Sequence, residues 1–332
     1  MEIKENYNLS SNNSFGFNYQ CNFFCKANSE DEILEFIKFS EKKGKELIVL
    51  GEGTNVVIKN NLDKSVLLIN NKGKDIEKNK VRVAAGENWH EFVLWTLRNN
   101  LFGLENLSLI PGSVGAAPIQ NIGAYGSEVS EFIESISVID LQKKEKLILK
   151  KNELDFSYRS SIFKKYKHFI ITEVNFQFNS TSHVNTSYKK LKDYLIKDDI
   201  NPEEATPQQV CRSVIEIRKS VLPNHITTPN VGSFFHNVLL DELKLKQLVK
   251  KLPKLPHFRE NNLHKIPTAY LIEEAGWKGK VIGGAKVSEK HSLVLISEED
   301  LSDNLFKLAN KIKEDIKDKY GVDLTFEPTI FS

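Results

Sequence analysis

The sequence predicts an α+β protein. Helical and strand patterns both run through its 332 residues. They do not alternate strictly, as the strands and helices of a doubly wound parallel sheet would. Between them lies a stretch that fits neither, Leu107 to Ser127, reading LSLIPGSVGAAPIQNIGAYGS. It has no charged side chain, and Gly112, Gly115, Gly123, Gly126, Pro111 and Pro118 punctuate it too often for a helix or a central strand. Its residues are too small and too interrupted for a membrane span.

The elements follow in order. Residues 30–43 read as a helix with Ile33, Leu34 and Ile37 on one face and Gly44 as its stop. Leu47–Leu50 reads as a strand, Gly51-Glu52-Gly53-Thr54-Asn55 as a glycine turn, and Val56–Ile58 as a second strand. Val66–Ile69 and Val81–Ala85 are strands by composition. Asn88 caps a helix over Trp89–Asn99. After the uncharged stretch come strands at Ile136–Leu141 and, with clear alternation, Phe169–Phe178. Thr206-Pro207-Gln208-Gln209 offers a capping box with proline at N1, opening a helix to about Val221. Leu240–Lys251 and Pro267–Ala275 read as helices and Ser292–Ile296 as a strand. Ser302 caps a last amphipathic helix, with Leu305, Leu308, Ile312, Ile316 and Tyr320 on one side and Gly321 beyond its end.

Composition excludes several function classes. A net charge of +2 gives no basic field for nucleic acid or a membrane surface. No apolar run reaches spanning length, and MEIKENYNLSSNN lacks a signal core, so a cytoplasmic protein is expected. Cys21 and Cys25 have no second pair to complete a zinc site, so they read as plain buried thiols, and no metal is expected. Gly51–Asn55 is not a dinucleotide fingerprint, because Val56 stands at the third glycine position and no helix follows.

The uncharged stretch is then a tightly turning backbone with little projecting from it. Successive exposed N–H groups of such a backbone hold phosphate without Lys or Arg. It is either a cradle for a large nucleotide cofactor or a loop threading a crowded core. Three further motifs invite chemistry. In Ser157-Tyr158-Arg159-Ser160-Ser161 a guanidinium suited to a carboxylate stands among small hydroxyls, unless it is a surface arginine. In Gly232-Ser233-Phe234-Phe235-His236-Asn237 a serine is placed as a proton donor or as a buried structural hydroxyl. In Phe326-Glu327-Pro328 a lone carboxylate lies in an apolar strand, as an acid or as a partner for a buried arginine.

Taken in order, LGEGTNVVI (50–58), FGLENLSLIPGSVGAAPIQNIGAYGSEV (102–129), FSYRSSIFK (156–164), GSFFHN (232–237), GGAKVSEKHSLVLI (283–296) and FEP (326–328) resemble the UDP-N-acetylenolpyruvylglucosamine reductase family, also called UDP-N-acetylmuramate dehydrogenases. The resemblance spans essentially the whole chain. Tyr188 in NTSYKKL and the TPQQV at 206–210 resemble the family's longer branch, which carries an extra tyrosine-bearing loop.

The resemblance implies an FAD enzyme of peptidoglycan precursor synthesis with NADPH as electron donor. The reduced flavin would pass hydride to C3 of UDP-N-acetylglucosamine enolpyruvate, giving UDP-N-acetylmuramate. It implies a vanillyl-alcohol-oxidase-like FAD-binding fold of two subdomains, 1–68 and 69–219. Residues 220–321 would form an α+β substrate-binding domain, and 322–332 would return to the first subdomain. A monomer is expected. Arg159 resembles the arginine that stabilises charge developing on the enolate, Glu327 the glutamate beside the substrate carboxylate, and Ser233 the serine that gives a proton to C2. Gly51, Gly53, Thr54, Asn55, Pro111, Gly112, Ser113, Gly115, Gln120, Asn121, Gly123, Ala124, Tyr125 and Gly126 would line the cofactor. Tyr158, Tyr188, Asn237 and His291 would meet the substrate. Two positions depart from the family: Val221 where Lys-Leu-Pro is usual, and His236 where GSFF is usually followed by lysine. They imply weaker binding of the anionic nucleotide. A related flavoprotein with another substrate and a flavin- or UDP-sugar-binding protein with impaired turnover are the competing readings.

Overall fold

A computed structural model describes residues 1–178 and 184–332. The chain divides into two compact units. The first comprises Met1–Tyr7, Cys21–Glu52 and Asp63–Arg218; the second comprises Asn8–Gln20, Gly53–Leu62 and Lys219–Ser332.

The first unit holds two sheets. In the smaller, strands run in the order Ile3–Asn8, Gln20–Ala27, Leu62–Ile69, Leu47–Leu50, and the last two pair in parallel. In the larger the order is Glu145–Lys150, Ile133–Asp140, Phe169–Gln177, Lys80–Ala84, Lys74–Glu77, all antiparallel. Alternation in Phe169–Gln177 puts Ile170, Val174 and Phe176 into the core. There they meet Trp89, Phe92 and Val93 from the helix Trp89–Arg98. That helix is capped as expected, Glu91 N–H donating to Asn88 Oδ1 at 3.0 Å. Burying each such side chain contributes about 1.5–3 kcal/mol. The helix Glu30–Lys42 buries Ile33, Phe36 and Ile37, and Gly44 ends it with φ 63°. Cys21 and Cys25 are buried thiols, both pushed up to about 11, chiefly by burial.

The second unit is built from short strands and three α-helices, Glu242–Lys251, Thr268–Glu274 and Asp303–Tyr320. The last buries Leu305, Leu308, Ala309, Ile312 and Ile316 along one face. Gly321 closes it in the left-handed conformation, φ 72°. Ser302 stands at its N-cap position but does not cap it: the hydroxyl donates to the Lys59 carbonyl, 3.2 Å, and meets the Tyr19 hydroxyl at 3.1 Å. Sequence order alone could not reveal these distant competitors. The strands on either side of the Gly51–Asn55 turn go to different sheets. Val56–Ile58 pairs in parallel with the terminal strand Thr329–Phe331.

Candidate functional site

In the first unit the uncharged stretch is gripped by the segment that opens the Trp89 helix. Gly115 N–H donates to Ala85 O and Val114 N–H to Glu87 O, each at 2.8 Å. Trp89 N–H donates to Gly112 O at 2.8 Å, and the Trp89 indole to Leu107 O at 2.9 Å. A Cβ on Gly115 would stand 2.5 Å from that of Ala85, so only glycine fits this crossing. Gly51 passes over the Ser113 hydroxyl in the same way. In both places a glycine backbone packs directly on a small neighbouring side chain, Ala85 or Ser113, which leaves no room for a Cβ.

The backbone is strained repeatedly. Leu109, Asn121 and Tyr125 carry the strain, with φ of 58°, 44° and 48°, while Gly112 and Gly126 take 126° and 88° without it. For a non-glycine residue the left-handed region costs about 1–2 kcal/mol. Gly123–Ala124 and Ser127–Glu128 form a hairpin closed by Tyr125-Gly126, both with φ > 0 as a type I′ turn demands. Asn121 is fully buried and holds three partners: Nδ2 donates to Glu128 and to Ser157 O, and Oδ1 accepts from Ser130 N–H. Asn106 Nδ2 bridges Tyr125 O and Asn185 O, at 2.8 Å each.

Arg159 belongs to this loop cluster. Ser157 and Ser160 exchange two backbone hydrogen bonds of 3.1 Å, leaving Tyr158-Arg159 as a two-residue turn with φ 51° at Arg159. The guanidinium donates to Gly123 O at 2.5 Å and Asn121 O at 3.3 Å, and lies 5.4 Å from the Tyr158 ring centre. The Tyr188 ring meets that of Tyr125 edge-on at 5.4 Å. Pro111, Gln120 and Ala124 are half-buried along the same stretch, with Ser113 buried.

Sequence reasoning passed over Arg218. Its Nε donates to Leu109 O at 3.2 Å. Desolvation lowers its pKa first; the Tyr125 phenol opposes that, and the Arg159 charge adds to it. Its signal was faint, one arginine in a charged helix. Gly53, Thr54 and Asn55 fall in the second unit, where Gly53 O accepts from Ser14 N–H at 3.2 Å and Asn55 O from Thr329 N–H at 3.0 Å.

In the second unit, residues 233–236 form the middle of a small backbone ladder. On one side Ser233 bridges Val294, and Phe234 N–H donates to Leu293 O at 2.8 Å. On the other, Phe235 bridges Phe326, Glu327 N–H donates to Phe234 O at 3.0 Å, and His236 N–H to Thr325 O at 3.0 Å. Phe234 and Phe235 are fully buried and pack on the Phe326 ring, anchoring the ladder. Its register brings Ser233, Glu327 and the His291 turn together. His291 closes that turn, its Nδ1 accepting from Leu293 N–H at 3.3 Å and its carbonyl from Val294 N–H at 2.9 Å. His236 Nδ1 is 4.0 Å from Glu327 Oε2. Thr268 fixes the next residues: its hydroxyl donates to His236 O at 2.8 Å and its N–H to Asn237 Oδ1 at 3.1 Å.

Residues 22–144 match the family described as "FAD binding domain", and residues 223–331 match "UDP-N-acetylenolpyruvoylglucosamine reductase, C-terminal domain". The UDP-N-acetylenolpyruvoylglucosamine reductase of Flavobacterium johnsoniae is 36% identical, over 99% of this chain and 100% of the relative. The chain belongs to the UDP-N-acetylenolpyruvoylglucosamine reductase family. The enzyme of the same name from Paraburkholderia phymatum is 35% identical, over 96% of this chain and 95% of its own. The fold agrees with the crystal structure of UDP-N-acetylenolpyruvylglucosamine reductase from Thermus caldophilus. The TM-score is 0.70, at 19% identity over 100% of this chain and 98% of that one. The expected organisation, α+β with an FAD-binding part followed by the reductase family's own C-terminal domain, stands. The described residues suit FAD. The ribbon at 107–127 offers main-chain groups, carries no charge to repel phosphate, and has glycine where backbones cross closely.

Proposed function

We propose that this protein is an NADPH-dependent, FAD-mediated reductase of UDP-N-acetylglucosamine enolpyruvate, producing UDP-N-acetylmuramate in the cytoplasm as a monomer. The relationship at 36% identity over full length supports the activity. Among the described residues no helix is long and apolar enough to cross a membrane. The observation that carries the chemistry is the ladder that gathers Ser233, Glu327 and His291 from three distant stretches of sequence.

FAD, when bound, would supply the redox chemistry, taking electrons from NADPH and delivering hydride to C3 of the enol ether. Residues 1–68 and 69–219 would hold it, with Gly51, Gly53, Thr54, Asn55 and the 111–126 stretch lining it. Residues 220–321 form the substrate domain. Charge left on C2 spreads into the substrate carboxylate, where Arg159 stabilises it; the two carbonyls on its guanidinium keep the fork oriented. Glu327 hydrogen-bonds that carboxylate, and the Ser233 hydroxyl gives its proton to C2. Tyr188, Asn237 and His291 hold the nucleotide, and Tyr158 supports Arg159. Thr268 N–H holds the Asn237 side chain by its Oδ1.

The test is an anaerobic half-reaction series on the purified protein. Bleaching of the flavin by NADPH, then recovery of the oxidised spectrum on adding the enolpyruvyl substrate, is expected. Bleaching without recovery would assign the protein another acceptor, and absence of flavin even after adding FAD would overturn the reading.

A further inference from the structure

The strained residue Leu109 is held in an unusual way. A bulky side chain at φ 58° persists only where its surroundings over-determine the backbone. Both main-chain polar groups of Leu109 bond to side chains rather than to backbone. Its N–H donates to His90 Nδ1 at 3.0 Å, and its carbonyl accepts from Arg218 Nε at 3.2 Å. His90 lies on the helix Trp89–Arg98, next to the tryptophan that binds Leu107 O and Gly112 O. Arg218 lies on a different helix, Pro207–Val221. Two separate elements thus pin one residue by the peptide groups on either side of it, immediately before Ile110-Pro111-Gly112-Ser113.

We propose that His90 and Arg218 are positioning residues that lock Leu109 in the left-handed conformation and so preset the 110–113 ribbon for the FAD dinucleotide. This rests on the FAD reading above. His90 does its part with an unprotonated Nδ1, the ring proton lying on Nε2. Arg218 does its part with one nitrogen of the fork. Neither touches reacting atoms in this role. Without them Leu109 relaxes toward negative φ, and the ribbon loses the shape that the cofactor otherwise finds ready-made. Preorganisation of this kind appears as affinity.

Four full-length variants test this: His90→Phe, His90→Asn, Leu109→Gly, and His90→Phe combined with Leu109→Gly. FAD affinity is read from flavin fluorescence, and backbone opening at 107–113 from hydrogen exchange of the cofactor-free protein. His90→Phe should weaken FAD about tenfold and speed exchange at Leu109 by a similar factor, as expected for one lost hydrogen bond and released strain. His90→Asn keeps an acceptor and should return both to within about threefold of the parent. Glycine takes positive φ without steric cost, so in the Leu109→Gly background His90→Phe should change either readout less than about threefold. Full-sized losses in that background, or an unchanged His90→Phe, would overturn the lock. Should the parent protein bind no FAD, the functional reading falls, while exchange at Leu109 still decides the lock. Far-UV circular dichroism of each variant separates a local effect from unfolding, and Arg218→Met repeats the test from the carbonyl side of Leu109.

Discussion

The loop at 107–127 and the ladder around 233–236 are shaped by opposite means. The loop gets its form locally, from left-handed residues such as Leu109, Asn121 and Tyr125 and from glycines pressed against neighbouring backbone. The ladder stores little such strain: of its residues only Gly232, at its start, has positive φ, 73°. Its form comes from pairing with residues some 60 and 90 positions further along the chain, at 293–294 and 325–327. On the proposed function, the surface that fits the large cofactor is made by bending one strand of chain, whereas the few reacting groups are gathered by register. Damage to the two should therefore look different, the first in binding and the second in turnover.

The largest expected effect is at the ladder. Ser233→Ala should leave FAD content and reduction by NADPH intact, while slowing reoxidation by the enolpyruvyl substrate about 10²- to 10⁴-fold, the usual cost of losing a general acid. Stopped-flow absorbance on each half-reaction checks it. Equal slowing of both halves would erase the contrast between ladder and loop. Arg159→Lys comes next: a single ammonium cannot replace a fork already fixed by Asn121 O and Gly123 O, so a loss of about a hundredfold is expected in the same half-reaction.

At the loop the effect is on folding and cofactor uptake. Gly115→Val places a side chain where Ala85 already stands, 2.5 Å away at Cβ, and overpacking of this kind costs about 1–3 kcal/mol. A lower melting temperature and reduced FAD retention after gel filtration are expected. Chemistry per bound flavin should stay near the parent value.

How much of this was legible in the sequence follows from the same contrast. The loop announced itself, because Gly115 and Gly123 are small for reasons of local contact and the absence of charge over 107–127 is visible in one line of text. Helix ends were equally readable: the Thr206–Gln209 box forms as written, with Thr206 N–H on Gln209 Oε1 at 2.8 Å and Gln209 N–H on Thr206 Oγ1 at 3.3 Å. Long-range features were not. Ser302 looked like a cap, but Lys59 O and Tyr19 compete for its hydroxyl from far up the chain. Strands of two or three residues such as Ala285–Val287 carry too little pattern to stand out. Arg218 and His90 gave no sign of their common target, since one residue, Leu109, 109 positions from the first and 19 from the second, joins them. The grouping of Ser233 with Glu327 came from family resemblance, not from spacing.

A smaller effect is tied to pH. Glu105 is 1% exposed beneath the loop, accepts from Gly103 N–H at 2.7 Å, and is pushed above the ordinary carboxylate range by burial. The folded state therefore holds a proton that the unfolded chain has already released. Stability should fall as pH rises from the ordinary carboxylate value through the raised one. Glu105→Gln keeps the acceptor and removes the titration, so melting temperature plotted against pH should flatten over that window. Parallel curves for parent and variant would show that Glu105 is not a source of the slope.

The smallest expected effect concerns the departure at Val221. The helix Pro207–Val221 remains helical to that residue, so Lys219 stays on it, two positions and about 200° round from Val221. Lys219 therefore cannot stand in for a lysine at 221. Val221→Lys restores a cation at the half-buried helix end, where a partly screened charge contributes about 1 kcal/mol or less toward an anionic ligand. That predicts a Michaelis constant for the UDP-sugar lowered by about threefold, with turnover and FAD affinity unchanged, and a gain that shrinks as salt is raised. Because this residue belongs to neither the strained loop nor the ladder, a change in turnover would mean that the helix end touches the reacting groups. A Michaelis constant that stayed put or rose would mean that position 221 does not face the diphosphate.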